Sequence, residues 1–174
     1  CSPTFVGTIN GSTALAGRGI DNLGTGTLTV SGLVKGGFAS WTTGTNLAEG
    51  IRNSSTGNIV VYGTLVGGAS AVTCAVHNFG NGNVTINGNL SGHPISNGQA
   101  LRVNGGGNIT INGDLYGLAG YALVCLSTAG TTSTITISGN SYAAINNNGT
   151  GYGFSIASFN STTNIYGNIY GSQG

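Results

Sequence analysis

Methionine is absent from this chain of 174 residues, proline occurs twice, cysteine three times, and charged side chains make up only 4%. Each scarcity excludes something. Four Lys+Arg against three Asp+Glu leave a formal charge of +1, which gives no basic footprint for nucleic acid or an anionic membrane. No apolar run approaches the roughly 20 residues that cross a bilayer as a helix. Three cysteines cannot all pair with one another, and Cys1 is the odd one, free to link chains. What is abundant is glycine, at 34 residues, without the every-third pattern of a collagen. With 39% apolar residues and almost no charge to repel, the chain is expected to fold as a single domain spanning 1–174.

One pattern runs through the whole chain: an alternating segment ends in glycine, and a short glycine–x–apolar–x–glycine unit follows. The clearest copies are Asn83 to Gly92 and Asn108 to Gly117. Others centre on Gly32, Gly63, Gly139 and Gly167, with a degenerate copy at Gly11, so that the anchor glycines are 21, 31, 25, 25, 26 and 28 residues apart. A period near 25 leaves no room for a helix in each repeat and predicts a solenoid. Each repeat also carries a later apolar segment, for example Ala71 to Asn78 and Ala100 to Asn104. The expected fold is therefore all-β: a parallel β-helix of about six coils, three short strands per coil, and no capping helix.

Strand alternation assigns the faces. Two and four residues before the anchors lie Leu28/Val30, Ile59/Val61, Val84/Ile86, Ile109/Ile111 and Ile135/Ile137, which should form inward columns. Val34, Leu65, Leu90, Leu115 and Ile169 form another, with Ser141 as its one polar break. The repeat length and strand pattern resemble the right-handed parallel β-helix superfold of pectate lyases, phage tailspikes and surface adhesins. The resemblance is to an architecture and to no specific family, and architecture alone does not carry function.

The outward positions carry the functional candidates. Asn89, Asp114, Asn140 and Asn168 follow their anchors directly and are expected to bond along the stack. Tyr116, Tyr142 and Tyr170, each three after its anchor, should stack as a ladder at about 4.8 Å. Such a strip suits a lateral contact with another subunit or a sugar-stacking platform. Asp21, Arg52 and His77 fall at like positions in successive coils, a line expected to be a stabilising ladder. With three carboxylates in separate coils and no short metal-binding or nucleophile motif, no catalytic residue, metal or cofactor is assigned, and the chain is read as a non-enzyme. Cys74 and Cys125, read as two coils apart with Ala100–Leu101 between, would be about 9.6 Å apart and unable to bridge. Of the Asn-x-Ser/Thr sequons, Asn53, Asn148 and Asn160 fall in expected loops and are the candidates for glycosylation.

A start at Cys1 and a nearly uncharged Ser/Thr/Asn/Gly-rich surface point to a processed protein outside the cell or at its surface. The pattern enters in strand register at Thr4-Phe5-Val6 and leaves at Asn168-Ile169-Tyr170, with no amphipathic helix to cover either edge. The expectation is a structural protein that assembles with copies of itself into a filament or surface fibre, Cys1, Phe5, Ile165, Ile169 and Tyr170 forming the joint. The alternative is a carbohydrate-binding adhesin or phage-tail-type receptor-binding module that reads glycans through Tyr116, Tyr142 and Tyr170.

Overall fold

The computed structural model describes residues 2–12, 17–38, 48–69, 73–94, 98–118, 121–126, 131–143, 154–156 and 160–171. In chain order its strands are β1 (Thr4–Asn10), β2 (Ile20–Asn22), β3 (Thr27–Lys35), β4 (Ile51–Asn53), β5 (Asn58–Val66), β6 (Thr73–Asn78), β7 (Val84–Asn87), β8 (Leu90–Ser91), β9 (Gly98–Val103), β10 (Gly107–Ile111), β11 (Leu115–Gly117), β12 (Leu123–Cys125), β13 (Ser133–Ile137), β14 (Ser141–Ala143), β15 (Phe154–Ile156), β16 (Ser161–Ile165) and β17 (Ile169–Tyr170). Residues one turn apart pair in parallel throughout. The chain is thus a parallel β-solenoid, and no helix occurs among the described residues. One sheet stacks β1, β3, β5, β7, β10, β13 and β16, and β5 is continued in the same sheet by a second column, β8, β11, β14 and β17. The other sheet stacks β2, β4, β6, β9, β12 and β15. About five turns are described, against the six expected.

The inward columns are those that alternation assigns. Leu28 pairs with Ile59, Ile59 with Val84, Val84 with Ile109 and Ile109 with Ile135, while Val30, Val61, Ile86, Ile111 and Ile137 run beside them. Val34, Leu65, Leu90 and Leu115 form the next column, and Ser141 breaks it before Ile169. All the aliphatic members except Leu28 and Ile169 are fully or almost fully buried. At roughly 1.5–3 kcal/mol per buried aliphatic side chain, these columns are the main source of stability. β-branched residues dominate them because a branched Cβ suits a pleated surface stacked at constant spacing.

Two glycine columns turn the corners, and here the structure corrects the reading of the first repeat. Gly7, not Gly11, pairs with Gly32, which pairs with Gly63. A Cβ on Gly32 would sit 2.0 Å from the Gly7 carbonyl oxygen, one on Gly63 1.9 Å from that of Gly32, and one on Gly88 1.8 Å from that of Gly63. Gly113, Gly139 and Gly167 continue the same contact. Gly11 belongs to the following corner, where its N–H donates to the Lys35 carbonyl at 2.8 Å as Gly36 does to Val66 and Gly92 to Tyr116. Both glycines of the Gly7-Thr8-Ile9-Asn10-Gly11 unit were visible in the sequence; the pairing of Phe5 with Val30 and of Ile9 with Val34 shows which one is the anchor.

The cysteine reading also shifts. Cys74 pairs with Gln99, whereas Cys125 pairs with Val103, so the two stand at opposite ends of their strands rather than in line across Ala100–Leu101. Both are free and buried.

Candidate functional site

In a chain this poor in charge, the gathering of charge on one sheet stands out. Asp21, Arg52, His77 and Arg102 are register neighbours on β2, β4, β6 and β9, as the line Asp21–Arg52–His77 predicts. Their bonds, however, run to residues the sequence reading passed over. Arg18 donates from Nε to Glu49 Oε2 at 2.7 Å and from Nη1 to Asp21 Oδ2 at 3.1 Å. Glu49 Oε1 lies 2.8 Å from His77 Nδ1, and His77 Nε2 lies 2.9 Å from Asn104 Oδ1, which also accepts from Arg102 Nε at 2.9 Å. Arg52 bonds to neither Asp21 nor His77; its guanidinium carbon sits 4.6 Å from the centre of the Phe79 ring. The signal for Arg18 and Glu49 was a second offset, since each stands three residues before Asp21 or Arg52.

Glu49 is fully buried. Burial pushes its pKa up, but the hydrogen bonds and positive charge supplied by His77 and Arg18 outweigh this and hold it below the ordinary value. Both nitrogens of His77 are engaged, Nδ1 by Glu49 and Nε2 by Asn104. His77 is only 3% exposed, while Asp21 stays at the surface and Arg52 Nε is buried without a hydrogen-bond partner. The chemistry of the cluster is that of a clamp across successive rungs. Burial, then the Glu49 charge, push the thiol of Cys74 well above the usual range.

The asparagine rows are of two kinds. The outer row bonds along the stack through side-chain oxygen and backbone N–H rather than amide to amide: Asp114 N–H donates to Asn89 Oδ1 at 2.9 Å, Asn140 to Asp114 Oδ1 at 2.7 Å, and Asn168 to Asn140 Oδ1 at 2.9 Å. The inner row, Asn22–Asn53–Asn78, bonds amide to amide at 2.9 and 3.0 Å. Asn53 is fully buried and its amide nitrogen also donates to the Gly57 carbonyl, so this sequon is not an accessible acceptor for a glycan. The loop assignment failed because Asn53 ends β4 and points inward. Asn160 is exposed. Asn148 and Cys1 lie outside the described residues.

Tyr116, Tyr142 and Tyr170 share one register position. Their ring centroids are 5.0 and 4.9 Å apart and both pairs of planes lie within 5°. The faces are therefore turned toward one another along the stack, and edges face outward. A sugar-stacking platform needs open faces, which this arrangement withholds from Tyr142. Tyr116 Oη donates to Asp114 Oδ2 at 3.1 Å, and burial, with that carboxylate, pushes the phenol's pKa up.

The remaining candidates sit at the sheet edges. Among the described residues, Phe5 lies on β1, which pairs only with β3; Ile165 on β16, which pairs only with β13; and Ile169 and Tyr170 on β17, which pairs only with β14. Phe5 is 38% exposed and Ile169 52%, while Ile165 packs partly against the core. The structure does not bring Phe5 near Ile165 and Ile169; it places them at opposite edges of one column set. No protein-family model, curated protein sequence or solved structure matches this chain.

Proposed function

We propose that this protein is an extracellular structural subunit that assembles with copies of itself, β1 of one copy docking in parallel on the β16–β17 edge of another. The observation that carries the reading is that the two edges belong to the same columns. Phe5 heads the column that closes on Ile165, Gly7 the column that closes on Gly167, and Ile9 the column that closes on Ile169. A copy placed one rung further along would set Phe5 over Ile165, Gly7 over Gly167 and Ile9 over Ile169, continuing both the backbone ladder and the core. Near-zero net charge removes the repulsion that would keep copies apart. A head-to-tail contact of this kind propagates into a fibre. The buried, fully engaged Glu49–His77 pair supports a non-enzymatic role.

Electron microscopy of the native protein tests this. The expected result is filaments with an axial repeat of seven strand spacings, about 34 Å at roughly 4.8 Å each. Ile169→Lys, a change at an exposed edge, should abolish them while leaving the β circular-dichroism signal intact. Discrete particles at high concentration, or filaments that persist in Ile169→Lys, would reject the joint; binding on a glycan array by such particles would favour the adhesin reading.

A further inference from the structure

The tyrosine ladder has a chemistry beyond packing, and of its three rings only Tyr170 lies on the strand at the proposed joint. Tyr116, Tyr142 and Tyr170 are held in register by backbone pairing, with phenol rings parallel and 4.9–5.0 Å apart. The rungs cannot slide apart without breaking the sheet, so each ring keeps its neighbour within reach. Tyr170 is 46% exposed and gives an oxidant access to the end of the row. The Asp114 carboxylate oxygen 3.1 Å from Tyr116 Oη is an acceptor already bonded to the proton that a phenol loses when it is oxidised. The core column behind the ladder has a polar break at its middle rung: Ser141 Oγ is buried without a hydrogen-bond partner.

We propose that the ladder is an oxidative cross-linking site, at which a haem peroxidase with hydrogen peroxide joins Tyr142 to Tyr116 or Tyr170. Each phenol gives up one electron and its hydroxyl proton, leaving two phenoxyl radicals in adjacent rungs. The radicals couple through a carbon–carbon bond between ring positions ortho to the two hydroxyls. The hydrogens on those two carbons then move to the phenolic oxygens and restore both aromatic rings. The protein loses two hydrogen atoms in all, as two electrons and two protons, and with them one hydrogen peroxide becomes two waters. Face-to-face stacking passes a radical formed at exposed Tyr170 inward to Tyr142 and Tyr116, and Asp114 takes the Tyr116 proton. A rotation of one ring about its side-chain bonds closes the remaining gap. The product is a covalent staple between rungs that the polar break at Ser141 leaves less well held. Tyr62 and Tyr166 share an outward column but are separated by Asn87, Asn112 and Ser138, so neither stacks on the other.

The test is to treat dilute folded protein with a haem peroxidase and a stoichiometric amount of hydrogen peroxide, then read dityrosine fluorescence, intact mass and the cross-linked peptides. The expected product is a monomer lighter by two hydrogens, with its link between Tyr142 and Tyr116 or Tyr170. Tyr142→Phe keeps the stacked ring and should lose most of the monomer product. Tyr62→Phe and Tyr166→Phe should retain it, and Asp114→Asn should reduce the share linked through Tyr116. Unfolding the protein in urea before oxidation should cut the yield severalfold, because the register is lost. An unchanged monomer mass, links confined to Tyr62 or Tyr166 between chains, or an equal yield from Tyr142→Phe or from unfolded protein would each overturn the proposal.

Discussion

Glu49 and His77 face each other across one turn of the solenoid, Oε1 2.8 Å from Nδ1, with the carboxylate fully buried. Glu49 also accepts from Arg18 Nε at 2.7 Å, and removing one partner of a buried ion pair leaves the other uncompensated, at a cost of about 3–5 kcal/mol. Glu49→Gln should destabilise the protein by about 3 kcal/mol at neutral pH, read as a lower guanidinium midpoint.

The same pair fixes a pH dependence. The folded-state pKa of Glu49 is held below the ordinary value of 4.5, so its contribution is fully present above that value and is lost as pH falls through the lowered one. Denaturation midpoints measured at successively lower pH should therefore drop for the wild-type chain below about that value, and Glu49→Gln should show a shallower drop.

Ser141 occupies a core column between Leu115 and Ile169, is fully buried, and its hydroxyl bonds to nothing. An unsatisfied buried hydroxyl costs about 1–3 kcal/mol. Ser141→Val should therefore stabilise the protein by about 1–2 kcal/mol, a rise of a few degrees in Tm by calorimetry.

The two asparagine rows should respond unequally. Asn53→Ala strands the amide of Asn22, the side-chain oxygen of Asn78 and the Gly57 carbonyl in a buried site, and is expected to cost about 2–4 kcal/mol. Asn112 bonds to Asn87 at 2.9 Å on the exposed face, and Asn112→Ala should stay within about 0.5 kcal/mol. Equal costs in chemical denaturation would contradict the burial argument.

Gly32 combines a φ of 133° with a Cβ position 2.0 Å from the Gly7 carbonyl oxygen. Gly32→Ala should displace β1 and cost more than about 4 kcal/mol. Gly171→Ala, with nothing within 4 Å of the added carbon, should be neutral in the same assay.

Much of this was legible without coordinates. Alternation is a period-two signal read locally, and a solenoid adds one rule, that the same offset in each repeat stacks on itself. Those two facts suffice to place Val84 under Ile109 and Tyr142 between Tyr116 and Tyr170. The rule misfired where a repeat holds two glycines four apart, because spacing alone does not say whether Gly7 or Gly11 opens the unit. It also misread Asn53 as a loop residue, since a buried amide and an exposed one look alike in sequence.

Fold class, the face each strand residue takes and the columns of core and ladder are thus legible in the residues alone, because all of these follow from local alternation repeated at a near-constant interval. How side chains meet between turns emerges with the folded stack: Arg18 with Glu49, His77 with Asn104, the tyrosine faces turned toward one another, Asn53 buried. The turns differ in length, so which side chains 27, 28 or 31 residues apart come into contact is settled by rotamer choice and by the closing of each loop, when the whole stack minimises its unsatisfied polar groups together.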